Sequence, residues 1–150
     1  MRVVIQRVNK ASVKVEGALK SSIEKGLMVL CCFEESDSSD DLEWMTKKIV
    51  NLRIFNDNEG KMNFSLLDVG GELLVVSQFT LYASTKKGNR PSYTKAAKPD
   101  ISIPLYEQFL KLLEISTPHK VGSGKFGAAM EVDLVNDGPV TIVIDSKEKE

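Results

Sequence analysis

Alternating apolar and polar residues at both ends of the chain constrain its fold most. Near the start, Val3 and Ile5 and then Val13 and Val15 alternate with polar neighbours, and Asn9-Lys10-Ala11 interrupts the pattern. Successive side chains on a strand point to opposite faces, so a period of two predicts strands rather than helices. We therefore predict a β-hairpin over residues 2–16.

The same alternation returns near the end of the chain. Met130, Val132 and Leu134 alternate with acidic residues, a turn-like sequence follows at 136–139, and the pattern resumes over 140–144. Because asparagine, aspartate, glycine and proline together favour turns, we predict a second hairpin here.

The middle of the chain predicts further strands and two helices. Apolar runs predict strands at 27–33 and 71–82, and a short strand is expected near 21–24. Leu42, Met45, Ile49 and Val50 share one helical face after a candidate N-cap at Ser38.

A second helical period, formed by Leu105, Phe109, Leu112 and Leu113, ends before Pro118. The predicted order is four strands, a helix, a strand, a helix and two strands. It favours an α/β fold of the α+β kind, with a mainly antiparallel or mixed, curled, barrel-like sheet and two outer helices. At 150 residues we expect a single domain, 1–150.

The apolar runs are too short to cross a membrane. The run at 26–33 falls far short of the roughly 20 residues that a spanning helix needs. Charged Arg2 and Arg7 at the start leave no room for the apolar stretch of a signal peptide. We therefore expect a cytoplasmic protein.

Scarce residues exclude several chemistries. The single histidine, His119, lies in a loop-like sequence beside Pro118 and cannot supply a two-histidine zinc site. A Ser-His-Asp triad also lacks support, because no motif accompanies His119. Cys31 and Cys32 are adjacent within an apolar run and are expected to be core residues. We expect neither a metal nor an organic cofactor.

Charge is segregated although the net charge is −1. Residues 73–99 contain no acidic side chain and carry five basic ones: Lys86, Lys87, Arg90, Lys95 and Lys98. Clustered lysine and arginine bind backbone phosphates, so this basic segment indicates contact with nucleic acid. A solvated surface without a ligand is the alternative.

The sequence Gly122–Gly127 matches G-x-G-x-x-G, the dinucleotide-binding pattern. That pattern requires a strand before it and a helix after it, whereas Pro118 and His119 precede this one and a strand pattern follows. Nucleotide-cofactor binding is therefore not predicted.

A polar cluster follows the apolar strand residues 73–76. Alternation would place Gln78 and Thr80 on one face and Phe79 on the other. Hydroxyl, amide and main-chain N–H groups that converge on a carbonyl could stabilise an acyl-transfer transition state. A polar rim of the sheet is the alternative, and spacing alone does not bring this cluster near residues 136–139.

Five short motifs in order resemble the D-aminoacyl-tRNA deacylase family of the bacterial and eukaryotic type, essentially from end to end. They are Met1–Val8, Ser77–Thr80, Gly88–Tyr93, Phe126–Ala128 and Asn136–Thr141. The resemblance implies an enzyme that hydrolyses the ester joining a D-amino acid to the terminal adenosine of tRNA, and that also accepts glycyl-tRNA.

The resemblance also implies a homodimer with active sites at the subunit interface. The floor of the active-site pocket, with the catalytic groups, would be formed by Ser77, Gln78, Phe79 and Thr80. Gly138 and Pro139, joined by a cis bond, would enter from the other subunit and exclude L side chains with their carbonyl oxygens. Expected roles in substrate binding fall to Arg7, which would hold that loop, and to Phe126 and Met130; Lys86, Lys87, Arg90 and Lys95 would bind tRNA.

The catalytic group is left open between two hypotheses. Thr80 could be a nucleophile, but no histidine is nearby in sequence to activate it. We prefer stabilisation of the oxyanion by main-chain amides near residues 78–80, with the tRNA's own 2′-OH helping to activate water. Two other functions are weighed: hydrolysis of small D-amino acid esters, and RNA binding without catalysis.

Overall fold

The computed structural model describes residues 1–149, which form eight strands, three α-helices and one 3₁₀ turn. The strands are β1 (Arg2–Val15), β2 (Ala18–Ile23), β3 (Gly26–Cys32), β4 (Phe55–Asn56), β5 (Met62–Phe64), β6 (Glu72–Ser77), β7 (Val121–Ser123) and β8 (Met130–Asp145). The helices are α1 (Ser39–Asn51), α2 (Leu66–Val69) and α3 (Pro99–Ser116), and the 3₁₀ turn is Phe79–Tyr82. Within this described part, no helix is long and apolar enough to span a membrane.

Six strands form one mixed sheet in the order β2-β1-β3-β6-β7, and β8 pairs with β1. The pairs β3–β6 and β6–β7 are parallel, and the pairs made by β1 are antiparallel. The sheet curls until β2 and β7 touch. A Cβ placed on Gly122 of β7 would lie 2.1 Å from the Ser21 hydroxyl oxygen of β2. The predicted α+β, barrel-like sheet is confirmed.

Both faces of the central strands are covered, which explains their unbroken apolar runs. On one face Leu27, Val29 and Val75 pack with side chains of α1 and α3. On the other face Met28 and Leu74 belong to a second cluster, inside the curl, with Val8, Ala11, Val13, Ile23 and Val76.

The predicted hairpin over residues 2–16 is wrong, because β1 is one continuous strand. It pairs with β8 along nearly its whole length, and register shifts near Val8 absorb the break in alternation. The chain reverses later, at Glu16 and Gly17, whose φ values of 51° and 79° fit a tight hairpin turn.

The second predicted hairpin is also wrong. β8 runs unbroken from Met130 to Asp145, antiparallel to β1. Val8 pairs with Asn136 and Gln6 pairs with Thr141, so four residues of β8 bulge out opposite the single residue Arg7. The turn-forming sequence at 137–140 makes this bulge rather than a chain reversal.

Both predicted helices are present, and a third is added. α1 begins after the predicted N-cap Ser38, which forms a capping box with Asp41, and it ends at Asn51. The additional helix, α2, is a single turn capped in the same way by Ser65 and Asp68. The predicted strand at 71–82 ends early, at Ser77, and the chain leaves the sheet as a 3₁₀ turn.

Candidate active site

A cavity of about 620 Å³ opens where β3 and β6 end. Cys31 and Cys32 of β3, Val76 and Ser77 of β6, and Met130 of β8 line it. The rest of the lining is Phe33, Gln78, Phe79, Tyr93, Ala96, Ala97, Pro99, Ser102, Phe126, Gly127, Ala128 and Val132. Across the described chain, no carboxylate, imidazole, ammonium or guanidinium group is part of this lining.

Five of the predicted site residues line this one cavity: Ser77, Gln78, Phe79, Phe126 and Met130. They come from two segments that are distant in sequence. The parallel pairing of β6 with β7, which joins Val75 to Ser123, brings the second segment beside the end of β6. Thr80 lies just beyond the lining residues, in the 3₁₀ turn.

The Thr80 hydroxyl is held by its neighbour. The Gln78 side-chain amide donates a hydrogen bond to Thr80 Oγ1 across 2.6 Å. An accepting hydroxyl oxygen keeps its own O–H for donation, and an amide N–H cannot remove that proton. This contact positions Thr80 as a hydrogen-bond donor and does not activate it as a nucleophile.

The main-chain amides of the turn differ in their availability. The Gln78 N–H donates to the Cys31 carbonyl at 2.8 Å, so it is already engaged. Among residues 1–149, no hydrogen-bond acceptor pairs with the N–H groups of Phe79 and Thr80. These two donors begin the 3₁₀ turn, where the first N–H groups lack partners within the turn. They are the groups available to an oxyanion.

The basic segment forms an exposed loop beside the cavity. Ser84 and Ser92 exchange main-chain hydrogen bonds of 2.7 and 2.9 Å and close the base of the loop. All four predicted tRNA-binding side chains in this region are exposed: Lys86, Lys87, Arg90 and Lys95.

A second cluster surrounds Arg7, which is only 5% exposed. Its Nε donates to the Asp137 carbonyl at 3.2 Å and lies 3.0 Å from the Asp137 carboxylate. Its Nη1 donates to the Ile54 carbonyl at 2.6 Å and to Asn56 Oδ1 at 3.2 Å. Arg7 thus ties the β8 bulge to β4.

The bulge presents Gly138 and Pro139 to solvent, joined by a cis peptide bond. Gly138 has φ 125°, and a Cβ there would lie 2.9 Å from Val140 Cγ2 and 3.0 Å from Arg7 Nη2. Arg7, Gly138 and Pro139 do not line the cavity of their own chain. The predicted site residues therefore form two clusters within this one chain.

Comparison with known proteins identifies the family. A family model described as D-Tyr-tRNA(Tyr) deacylase matches residues 4–145. The chain belongs to this deacylase family. The family resemblance inferred from the motifs is therefore confirmed.

Similar deacylases cover the whole chain. Proteins named D-aminoacyl-tRNA deacylase from Bacteroides thetaiotaomicron and Flavobacterium johnsoniae are 62% and 59% identical over 150 residues, all of each chain. A solved structure named c-Myc DNA unwinding element binding protein is 41% identical, with a TM-score of 0.91 over 97% of this chain and 98% of its own.

In this deacylase the two cysteines are buried, as expected, but they also line the cavity. Burial is the main cause that raises the pKa of the Cys32 thiol to about 11, and it raises the pKa of Cys31 further. Both thiols are protonated at neutral pH, and Cys32 Sγ donates to the Phe79 carbonyl at 3.4 Å. No sequence signal indicates this contact, because an apolar run predicts only burial.

The glycine-rich segment of the deacylase has packing roles. A Cβ on Gly124 would lie 2.4 Å from Met130 Sδ, and Gly127 has φ 73°. With Gly122 against β2, the segment lets β7 and β8 approach their neighbours closely. No helix follows it: the next element of the chain is β8. The strand predicted after this segment is therefore present, at the place where the dinucleotide-binding pattern requires a helix.

Proposed function

We propose that this deacylase hydrolyses the ester bond of D-aminoacyl-tRNA and of glycyl-tRNA, releases the amino acid and tRNA, and rejects L-aminoacyl groups. The observation that carries the proposal is the convergence of Ser77, Gln78 and Phe79 with Phe126 and Met130 on one cavity. Membership of the deacylase family supports the reaction type. The enzyme would act on charged tRNA in the cytoplasm, with residues 1–150 working as one domain.

In the proposed reaction, water attacks the ester carbonyl carbon, the C–O bond to the ribose breaks, and the ribose oxygen takes a proton. The N–H groups of Phe79 and Thr80 would stabilise the oxyanion, since no acceptor in the described chain engages them. The cavity lining within residues 1–149 supplies no carboxylate or imidazole as a base. We therefore assign activation of water to the neighbouring 2′-OH of the substrate, without metal or organic cofactor.

Chiral selection is assigned to the β8 bulge of a second subunit. Gly138 and Pro139 are exposed and do not line their own cavity, which favours a homodimer in which each bulge enters the other subunit's site. Exposed apolar side chains on β8, Val135 and Val143, support an interface on this strand.

Rejection of L-aminoacyl groups needs a fixed steric obstacle, because a difference in apolar contacts is too weak. Apolar contacts discriminate by only about 1–3 kcal/mol, too little against an excess of L-aminoacyl-tRNA. The main-chain carbonyls of Gly138 and Pro139, in a bulge that buried Arg7 anchors through the Asp137 carbonyl, could oppose an L side chain directly. Glycine has no side chain to be opposed, so glycyl-tRNA would be accepted.

Rates on matched D-tyrosyl-, L-tyrosyl- and glycyl-tRNA test the activity. We expect hydrolysis of the D and glycyl substrates and little of the L substrate. Equal D and L rates would overturn chiral selection. Free D-tyrosine ethyl ester should be a poor substrate, whereas rapid cleavage would indicate a small-ester hydrolase.

Subunit mixing tests the interface site. A cavity-blocking variant, Ala128→Trp, is mixed in equal amounts with Gly138→Ala, for which we expect some L-tyrosyl-tRNA hydrolysis. If bulges act in the other subunit, about half of the open cavities receive a native bulge, and L hydrolysis falls to about half. Unchanged L hydrolysis after subunit exchange would place each bulge at its own cavity. Circular dichroism checks that both variants fold.

A nucleic-acid-binding role without catalysis is the second candidate. The exposed basic loop favours it, as does the 41% identical protein named for binding DNA. Purified protein that binds tRNA but leaves D-tyrosyl-tRNA intact would decide for this function.

A further inference from the structure

The cavity rim carries two exposed aromatic rings. Phe79 is 57% exposed and Tyr93 is 37% exposed, and both residues also line the cavity. Their ring centroids lie 5.1 Å apart, with the planes inclined by 77°. An edge-to-face pair leaves ring surface open to a further flat group.

The basic loop begins and ends next to this aromatic pair. Tyr93 directly follows Ser92, which pairs with Ser84 at the base of the loop. Residues 84–98 carry five basic side chains and no acidic one: Lys86, Lys87, Arg90, Lys95 and Lys98. The hydrogen-bonded base fixes where Lys86, Lys87 and Arg90 emerge relative to Tyr93. Lys95 and Lys98 follow Tyr93 in the chain.

We propose that Phe79 and Tyr93 form a stacking subsite for the unpaired nucleotide that precedes the terminal adenosine of the tRNA. Aromatic rings that stack bases beside cations that follow the phosphates are the usual means of binding single-stranded RNA. The proposal rests on the proposed function, because it places the terminal adenosine and its ester in the adjoining cavity.

The charge of the neighbouring segment favours RNA over a second protein subunit as the occupant of the Phe79–Tyr93 subsite. The five cations of residues 84–98 face no acid within their own segment, and RNA supplies one negative charge per nucleotide. A second copy of this chain has a net charge of −1 and carries the same basic loop. The charge of residues 84–98 is therefore more complementary to RNA than to a second copy of this chain.

Substrates of different length test the subsite. Hydrolysis is compared for D-tyrosyl-adenosine, for the D-tyrosyl ester of cytidylyl-adenosine and for D-tyrosyl-tRNA. The variants are Tyr93→Ala, Tyr93→Phe and, as a matched control, Thr94→Ala. Thr94 is the exposed neighbour of Tyr93 and does not line the cavity.

We expect the added nucleotide to raise kcat/KM of the native enzyme. Tyr93→Ala should lose activity on the two longer substrates by about 5- to 150-fold more than on D-tyrosyl-adenosine, the range measured for loss of one stacked base. Tyr93→Phe should keep the increase in kcat/KM that the added nucleotide provides, and Thr94→Ala should match the native enzyme on all three substrates.

Other results would overturn the subsite. An equal loss on all three substrates would mean that Tyr93 shapes the cavity. If Tyr93→Ala loses no activity on any of the three substrates, Tyr93 does not contact RNA. If sedimentation shows that Tyr93→Ala changes the oligomeric state, and all rates fall together, the pair is a subunit contact. Failure of the native enzyme on every D-tyrosyl substrate would instead refute the proposed function.

Discussion

The side-chain amide of Gln78 donates a 2.6 Å hydrogen bond to the hydroxyl oxygen of Thr80. A serine or threonine nucleophile needs a neighbouring base that takes its proton, and this neighbour supplies only a proton donor. The contact therefore argues that Thr80 supports the reaction without attacking the ester itself.

Replacement of Thr80 tests this role. Thr80→Val keeps the shape but removes the hydroxyl, and we expect kcat to fall by no more than about tenfold, the effect of one lost hydrogen bond. A substrate whose terminal ribose carries hydrogen in place of the 2′-OH should lose far more. Single-turnover rates measure both. Abolished turnover in Thr80→Val with an active 2′-deoxy substrate would identify Thr80 as the nucleophile.

Asn56 offers a test of how the β8 bulge is held. Its Oδ1 accepts from Arg7 Nη1 at 3.2 Å, and Arg7 in turn donates to the Asp137 carbonyl. Asn56→Leu removes this acceptor, so the bulge should loosen and the ratio of D to L hydrolysis should fall by about fivefold. Asn56→Asp keeps an acceptor and should keep the ratio.

The control for Asn56 is Asn58→Ala, an exposed residue of the turn that follows β4. It should leave the D-to-L ratio unchanged. An equal fall in both asparagine variants would mean that the turn itself, rather than the contact with Arg7, determines selectivity.

Gly138 should not tolerate a side chain. In Gly138→Ala the new Cβ would meet Val140 and Arg7 at 3.0 Å or less, and φ 125° is unfavourable for alanine. We expect a loss of stability of about 1–3 kcal/mol and a smaller D-to-L ratio. Gly17→Ala, also at positive φ but with nothing within 4 Å, should lose stability without changing selectivity. Denaturant unfolding and deacylation rates measure the two effects.

The basic loop should make binding salt-dependent. If Lys86 and Lys87 contact phosphates, replacing both with alanine reduces the slope of log affinity against log salt by about 1.4, or about 0.7 per contact with single-stranded RNA. Titration of deacylated tRNA between low and moderate salt measures the slope. Replacing Lys10 and Lys20, both exposed, is the matched control, and an equal change there would indicate non-specific attraction.

Asp41 should contribute stability that is lost in acid. Burial tends to raise the pKa of its carboxyl group, but hydrogen bonds from Lys147 and Ser38 lower it to well below the usual value. A lowered folded-state pKa stabilises the protein above the unfolded pKa of about 3.9, and the gain disappears as pH falls towards the folded value.

Asp41→Asn should therefore lower the free energy of unfolding by about 1–3 kcal/mol at pH 7, and by progressively less below pH 4. Urea unfolding at several pH values measures this difference. Asp40→Asn, an exposed neighbour in the same first turn, should show little change at any pH. A pH-independent defect in Asp41→Asn would point to lost packing instead.

Local sequence predicted elements whose signals lie within a few residues. Ser38 caps α1 as predicted, because an N-cap acts within the first turn, here with Asp41 only three residues later. The buried strands and the exposed loop position of His119 were also predictable. The one-turn helix α2 carries the same type of cap at Ser65 and Asp68, so its signal was present but short.

The two predicted hairpins were wrong for a shared reason. Asn9 and Lys10 favour a turn locally, as do residues 136–139, but pairing between β1 and β8 on both sides of these segments keeps each strand continuous. Turn propensity then appears as a bulge within a continuous ladder. Local propensity cannot reveal this outcome, because the partner strand lies more than 100 residues away.

The sequence by itself determined the α+β fold, the deacylase family and the identity of five residues that line the cavity, because periodicity, caps and short motifs are local properties. Only the tertiary structure decided that Phe126 and Met130 share a cavity with Ser77. It also decided that the main-chain N–H of Gln78 already donates to the Cys31 carbonyl, and that Gly138 lies away from its own chain's cavity. These relationships depend on strand pairing and register, which join distant segments through main-chain hydrogen bonds that any residue except proline can make.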